Sequence, residues 1–269
     1  MIRIGWFTTA RGPGSRGFFE AVHGAIESGQ LDARFEYVFS NRERGEGDAS
    51  DSFFDRVCDL GIPLVNLSSG RFRREHGGGP WAGHRNAFHA EAMRRIANFE
   101  ADYCVLAGYM LITSDEMCRR LILVNLHPAL PGGPTGTWQQ VIWKLIESGA
   151  VNTGVMVHVA TEVLDGGPVL AYCTYPIRGP GFDELWTEAS SESTDQLRSQ
   201  GDDQPLFAAI RAEGLRRERP LLVETLRSLA VGSMTVRDRI VLDHSGAELR
   251  GGLRLDAEVE ARLSADEAG

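Results

Sequence analysis

Three polar side chains in the middle of the chain have the types and the spacing needed for acyl-group chemistry. Asn125 and His127 close an apolar run that begins at Leu121, and Asp165 follows 38 residues after His127 (165 − 127). An amide can donate a hydrogen bond to a polarised carbonyl oxygen, an imidazole can exchange a proton, and a carboxylate can orient the imidazole. We therefore take Asn125, His127 and Asp165 as candidate catalytic residues. The alternative is an Asn cap and a surface His before the turn-forming Pro128.

Several segments around these residues occur in an order that is typical of one enzyme family. They are residues 38–42, 106–110, 125–130, 154–158 and 164–168. Together they resemble the formyltransferases that use 10-formyltetrahydrofolate, most closely the phosphoribosylglycinamide (GAR) formyltransferases. The resemblance covers most of residues 2–178 and, more weakly, a helical stretch to about residue 230. It implies formyl transfer to an amine acceptor, with GAR in purine biosynthesis as the first choice.

The resemblance also implies where the folate donor would bind. A cleft with apolar walls and backbone polar groups suits a flat heterocycle. The residues assigned to it are Tyr109, Met110, Leu111, Ile112, Val163 and Leu164. His158, seven residues before Asp165 (165 − 158), is assigned a supporting role behind the catalytic residues. A hydrogen-bonded His in the core of a strand is the alternative for that position.

A glycine-rich segment near the start of the chain admits two interpretations. Residues 12–17 match the GxGxxG pattern of a dinucleotide site, and Arg42 could then meet an NADP 2′-phosphate, as in an oxidoreductase. In the formyltransferases the equivalent loop binds the acceptor phosphate at a helix N-terminus, which assigns that role to Gly14, Ser15 and Arg16. A simple helix-capping turn is the third option.

These residues do not determine the identity of the acceptor. An acidic residue of the C-terminal helix recognises the acceptor amine in GAR enzymes, and the candidates here are Glu213 and Glu218, of which we assign Glu213. The acceptor could instead be an amino sugar nucleotide or a specialised metabolite, with or without a phosphate. Hydrolysis of the formyl-folate is a further alternative.

Apolar runs alternate with helix-period segments, which predicts an α/β fold with a doubly wound, mostly parallel, Rossmann-like sheet. We predict strands at about 2–9, 35–40, 63–67, 102–108, 121–127, 153–161 and 168–177. We predict helices at about 15–29, 50–60, 83–98 and 137–147. Ligands of such sheets bind outside the carboxyl ends of the strands, where the candidate residues fall.

The character of the sequence changes after the last predicted strand. Residues 178–204 are polar and glycine-rich, which favours a long mobile loop. From Pro205 the pattern is helical, with Pro220 predicted to start a second helix. We assign residues 1–232 to the catalytic domain and 233–269 to a small C-terminal extension with a β-like piece and a charged helical tail.

Composition narrows the class of protein and its partners. The net charge of −9 disfavours a general nucleic-acid-binding surface. An apolar run of ~20 residues and an export signal are both lacking, so we expect no membrane partner and a cytoplasmic enzyme. The four cysteines are widely spaced, which predicts reduced thiols and no structural metal. A homodimer is one option for its assembly.

Overall fold

The computed structural model describes the backbone of residues 1–268 and the side chains of residues 1–265. Within this part the chain alternates strands and helices over its first two thirds, as the periodicity predicts. The strands are β1 (Ile2–Thr8), β2 (Ala33–Ser40), β3 (Leu64–Asn66), β4 (Tyr103–Leu106), β5 (Leu123–His127), β6 (Asn152–Val159), β7 (Val169–Pro176), β8 (Met234–Arg237), β9 (Ile240–Asp243) and β10 (Leu253–Arg254). The helices are α1 (Pro13–Glu27), α2 (Asp48–Asp59), α3 (Ser69–Glu75), α4 (Arg85–Arg95), α5 (Asp115–Arg120), α6 (Trp138–Glu147), α7 (Asp183–Ala189), α8 (Thr194–Ser199), α9 (Pro205–Ala230) and α10 (Asp256–Ala268).

The central sheet has the strand order β10-β7-β6-β5-β4-β1-β2-β3. Strands β1 to β5 are parallel, and β6 runs antiparallel to both β5 and β7. The predicted doubly wound, mostly parallel sheet is therefore confirmed. The chain adds β2 and β3 on one side of β1, then returns to add β4 and β5 on the other side. The carboxyl ends of β1 and β4 thus form the topological switch point, which is where open α/β sheets bind ligands.

Side chains alternate between two apolar cores, one on each face of the sheet. Along β1, Ile4 and Trp6 enter one core, whereas Phe7 enters the other. This alternation follows from the two-residue period of a strand. Both faces are covered, so the parallel strands read as nearly continuous apolar runs. Cys104 in β4 and Cys173 in β7 are buried among these apolar side chains.

The segment 178–204, predicted as a long loop, instead contains α7 and α8. The sequence contains a helix-start signal that the prediction missed, because Ser193 and Gln196 form a capping box at the start of α8. Trp186 on α7 is buried and its indole N–H donates to the carbonyl of Ile177 at 2.5 Å. These anchors turn a polar stretch into two short helices.

The prediction that Pro220 starts a second helix was wrong, because α9 runs without a break for 26 residues. A proline inside a helix removes one hydrogen bond and costs about 3 kcal/mol. The residues that follow it, Leu221 and Leu222, are almost fully buried, at 0% and 2% exposure. Packing of this apolar face outweighs the local disruption.

The C-terminal extension packs onto the rest of the chain. Strand β10 pairs in parallel with β7, and Asp256 accepts a hydrogen bond from the backbone N–H of Thr174 at 2.8 Å. Val259 and Leu263 of α10 are buried, and Arg217 of α9 donates to Glu260 at 3.0 Å. The division into two units at residue 232 stays a prediction. Across the described helices we find none with an apolar stretch sufficient to cross a bilayer.

Candidate active site

Asn125 is held in one orientation by the strand beside it. It lies in β5 opposite His158 of β6, and its Nδ2 lies 3.1 Å from Nε2 of His158. The other ring nitrogen, Nδ1, lies 3.2 Å from the carbonyl oxygen of Val159. A carbonyl only accepts, so Nδ1 carries the proton and Nε2 accepts from the Asn125 amide. Burial lowers the pKa of His158, which keeps the ring neutral and able to accept.

His127 and Asp165 form a buried pair behind Asn125. Nδ1 of His127 lies 3.5 Å from Oδ1 of Asp165, and its Nε2 donates to the carbonyl of Pro134 at 2.8 Å. Both ring nitrogens therefore face oxygen acceptors, an environment in which a doubly protonated imidazolium has a partner on each side. His158 also approaches the carboxylate, at 3.9 Å. The structure thus brings the three predicted catalytic residues and His158 together.

Asp165 reaches this position through an uncommon backbone conformation. Its φ is +54°, one of the few positive values at a non-glycine residue in the described chain. The second oxygen of its carboxylate accepts a hydrogen bond from the backbone N–H of Gly136 at 3.1 Å. Two separate loops therefore meet at this carboxylate. Side chains held in this way by their surroundings are typical of functional sites.

A cavity of about 280 Å³ opens at the switch point, beside Asn125. Its walls come from the ends of β4 and β5, the start of α1, the start of α6 and one face of α9. The lining residues are Gly14, Ser15, Phe18, Val105, Leu106, Ala107, Gly108, Tyr109, Met110, Asn125, Leu126, Pro128, Trp138, Arg211, Leu215, Glu218 and Leu222. Sequence reasoning missed Phe18, Trp138, Arg211, Leu215 and Leu222 in this set.

The charged groups of this cavity are Arg211 and Glu218. Arg211 donates to the Glu218 carboxylate at 2.5 Å, and its guanidinium lies 4.7 Å from the ring centroid of Trp138. Glu213, the residue assigned from sequence, does not line the cavity. Its carboxylate is held by Arg216 and Arg217 on another face of α9.

Helical spacing explains why the cavity takes Glu218 and leaves Glu213 outside. Positions 211, 215, 218 and 222 share one face of a continuous helix. Arg211, Glu213 and Glu218 all precede Pro220, so the predicted helix from Pro205 already contained this register. The sequence did not show which face of that helix lines the cavity, because tertiary packing decides it.

The residues assigned to the folate divide into two groups. Tyr109 and Met110 line the cavity, and Met110 is 67% exposed. Leu111 packs against the second core, while Ile112, which follows β4, and Val163 and Leu164, in the loop of Asp165, are exposed. Exposed apolar side chains next to a candidate site can contribute to a ligand-binding surface.

The glycine-rich segment at the start of α1 contributes unequally to the cavity. Gly14 and Ser15 line it, and Gly12 occupies the N-cap position without a side-chain cap, which leaves backbone N–H groups of the first turn free of a capping side chain. Arg16 points elsewhere, since its guanidinium donates to Ser52 at 3.3 Å. Gly108 fits here because a Cβ on it would lie 2.7 Å from Cβ of Ser15.

Comparison with known families defines the class of protein. The formyl transferase family profile matches residues 12–181, which is 170 of 269 residues (181 − 12 + 1). The chain belongs to the formyl transferase family. The matched region contains β2 to β7 with Asn125, His127 and Asp165, so the candidate site lies within the region that defines the family. In the part of the chain with described side chains we find no group of three or more His, Cys, Asp or Glu placed to hold a metal ion.

Individual relatives narrow the comparison. A phosphoribosylglycinamide formyltransferase of Schizosaccharomyces pombe is 29% identical over 173 residues, which is 61% of this chain and 79% of that protein. The Escherichia coli enzyme of the same name is 28% identical over 181 residues, covering 64% and 74%.

Two solved structures share the fold. The phosphoribosylglycinamide formyltransferase of Coxiella burnetii aligns with a TM-score of 0.65 at 21% identity, covering 94% of this chain and 99% of that one. A formyltetrahydrofolate deformylase from Pseudomonas syringae aligns with a TM-score of 0.61 at 18% identity, covering 90% and 65%.

Proposed function

We propose that this protein transfers the formyl group of 10-formyltetrahydrofolate to the amine of phosphoribosylglycinamide, a step of purine biosynthesis. The observation that carries the proposal is the position of Asn125. Its amide is oriented by a neutral His158 and lies in the wall of the cavity at the switch point. This arrangement presents a fixed N–H donor where a carbonyl oxygen could sit, as formyl transfer requires.

Asn125 and His127 stabilise the charge that develops during transfer. The bound folate supplies an electrophilic formyl carbon, and attack by an amine leaves negative charge on the formyl oxygen. One N–H of the Asn125 amide is used by His158, and the second is available to that oxygen. An imidazolium at His127 adds positive charge nearby and is stabilised by Asp165 and by the Pro134 carbonyl.

Asp165 is the group best placed to handle the proton that the acceptor amine loses. Its carboxylate is buried, lies close to two imidazoles and accepts the Gly136 N–H, which keeps it fixed. Because Asp165 is buried behind Asn125 and outside the cavity lining, we assign it to take the proton through one water. The same route returns that proton to the departing folate nitrogen, which restores the carboxylate.

The residues at the edge of the sheet fit a folate. Met110 lies in the cavity wall, and Ile112, Val163 and Leu164 present exposed apolar surface. A flat heterocycle buries such surface, while backbone polar groups of the strand-end segment match its hydrogen-bonding edge. We assign Tyr109, Met110, Leu111 and Ile112 to one wall of the folate cleft, and Val163 and Leu164 to the other.

The choice of GAR as acceptor is supported by the relatives that carry that name and by the start of α1. Gly14 and Ser15 line the cavity at a helix N-terminus, where backbone N–H groups and the helix dipole favour a phosphate. Arg16 would have to leave Ser52 to join them. We assign recognition of the amine to Glu218 in preference to Glu213, because Glu218 faces the cavity.

Formylation assays with purified protein test the proposal. We expect formylation of GAR that depends on 10-formyltetrahydrofolate and exceeds turnover of amino sugars and other amines. Formate release without any amine serves as the blank. Release of formate at the same rate with and without GAR would overturn the proposal in favour of a hydrolase.

Two attributes stay predictions alongside this function. We expect the enzyme to act in the cytoplasm, which cell fractionation would test. A homodimer is an expectation that sedimentation of the purified protein would test.

A further inference from the structure

The C-terminal extension lies outside the region matched by the family profile, yet it contacts the loop that carries Asp165. Strands β8 and β9 form a hairpin whose turn is Asp238 and Arg239, with φ of +48° and +63°. Two successive positive φ values define the type of turn that matches the twist of a hairpin, but that turn usually takes Asn and Gly. A non-glycine pair in this conformation is held by its surroundings.

Arg239 makes the contacts that hold this turn in place. Its Nη1 forms an ion pair with Glu162 at 2.9 Å, and its Nη2 donates to the backbone carbonyl of Cys118 at the end of α5. Arg119 approaches the other carboxylate oxygen of Glu162 at 3.3 Å. Glu162 is therefore held between two arginines from different parts of the chain.

The hairpin is itself anchored, so Arg239 is a fixed point of attachment. Met234, Val236 and Val241 are buried in the main apolar core. The long arginine side chain thus connects a hairpin anchored in the core to the loop of Asp165. It spans from residue 239 to residue 162, which is three residues before Asp165 (165 − 162).

A shift at Glu162 would reach Asp165 because the loop between them is tight. The backbone N–H of Gly166 bonds to the Val163 carbonyl at 3.2 Å. A Cβ on Gly167 would lie 1.8 Å from the carbonyl oxygen of Val159, so the loop lies directly against β6. Glu162 and Asp165 therefore lie in one compact loop packed against β6.

We propose that Arg239 is a positioning residue of the active site, through which the C-terminal extension holds the Asp165 loop against the end of α5. The expected effect on the rate rests on the proposed formyl transfer, whereas the expected effect on the Asp165 loop does not. The extension then serves the reaction without contacting substrate. Small errors in the position of a reacting group cost rate far more than they cost binding.

The test compares Arg239→Ala with the wild type in the full-length chain. We expect kcat for formyl transfer to fall about 10-fold, with KM for both substrates changed less than about two-fold. Glu162→Ala should reproduce this pattern, and Arg239→Lys should recover part of the rate. The matched control is Arg250→Ala, which removes an exposed arginine of the same extension that pairs only with Glu248 among the described side chains.

Hydrogen exchange separates this inference from the proposed function. In Arg239→Ala, amides of residues 161–167 should exchange faster, while those of residues 109–114 should not change. This readout holds even if the wild type proves inactive in formyl transfer, a result that would contradict only the proposed function. Exposed ion pairs contribute little to global stability, so the variant should stay folded. A folded Arg239→Ala protein with wild-type exchange in 161–167 and wild-type kcat would overturn the proposal.

Discussion

At the scale of single residues, His158 holds the amide of Asn125, which we propose as the hydrogen-bond donor to the formyl oxygen. Its Nδ1 proton is committed to the Val159 carbonyl, which leaves Nε2 as an acceptor for Asn125. The sequence placed His158 beside the catalytic residues only through family resemblance. A lone His in an apolar strand carries no sign of which neighbour it contacts, because the partner lies on another strand.

We predict that His158→Ala lowers kcat about 10-fold, because the Asn125 amide loses the contact that fixes it. Asn125→Ala removes the donor itself and should cost at least ~10²-fold. The double variant should be no slower than Asn125→Ala, since orientation matters only when the amide is present. Steady-state rates of the three variants would measure this, and additive losses would show that His158 acts by another route.

At the scale of elements, the segment after β4 is shaped by a buried imidazole. Nδ1 of His89 accepts the backbone N–H of Ser114 at 3.2 Å, and its Nε2 lies 3.1 Å from the Tyr109 hydroxyl. The Nε2 proton is therefore donated to the Tyr109 oxygen, and one neutral ring spans both ends of residues 109–114. Burial lowers the pKa of His89 from 6.5 to about 4.

This burial predicts a pH dependence of stability. Below pH 6.5 the unfolded chain protonates His89 while the folded chain does not, so stability falls as pH drops from 6.5 to about 4. The loss attributable to this group is about 3 kcal/mol at most. His89→Gln keeps an amide donor and acceptor but does not titrate. Its unfolding free energy should fall less steeply over this range, and equal slopes for variant and wild type would contradict the assignment.

The contact between β4 and α1 gives a second prediction at this scale. Gly108 and Gly61 have nearly equal φ, +66° and +68°, but only Gly108 has a neighbour that a Cβ would strike. Gly108→Ala should therefore destabilise the fold by at least ~1 kcal/mol more than Gly61→Ala. Denaturant unfolding of the two variants gives the difference. Only Gly108→Ala should raise KM for the acceptor, so equal effects of the two variants would argue against close packing at Ser15.

Elements were predictable from the sequence where local pattern and tertiary packing agree. Each predicted strand and helix of residues 1–177 exists, with ends that differ by a few residues, because apolar periodicity there reports burial directly. The break at Pro220 was wrongly predicted because the burial of Leu221 and Leu222, which keeps the helix continuous, depends on tertiary packing. The sequence also could not choose between Glu213 and Glu218, because tertiary packing decides which face of α9 lines the cavity. The Asp165 loop was located only because its residues resemble a family.

At the scale of the whole molecule, α9 fills part of the crevice at the switch point of the sheet, and the cavity is the space that remains. Side chains of α9 form one wall, and the space that remains is about 280 Å³. Doubly wound folds that bind dinucleotides lay the ligand across the whole crevice. Here Arg211, Leu215 and Glu218 of α9 occupy part of the crevice beside the glycine-rich segment at residues 12–17. We therefore propose that this segment binds the phosphate of the acceptor and not a dinucleotide.

We predict from this that tetrahydrofolate binds and NADPH does not compete at comparable concentration. Isothermal calorimetry with each ligand, followed by titration of one in the presence of the other, measures both points. Arg42 gives an internal control, because Arg42→Ala should leave folate affinity unchanged. NADPH binding that displaces folate and weakens in Arg42→Ala would instead support a dinucleotide site.

The central claim is that Asn125, His127 and Asp165 carry formyl transfer, and His127 tests it most directly. The measurement is the rate of GAR formylation from 10-formyltetrahydrofolate by wild type, His127→Ala and the control His244→Ala, which alters an exposed His of the C-terminal extension. We expect the control to match the wild type and His127→Ala to be at least ~10²-fold slower, with unchanged far-UV circular dichroism and melting temperature within a few degrees of wild type. Near-wild-type turnover by a folded His127→Ala protein would contradict the account.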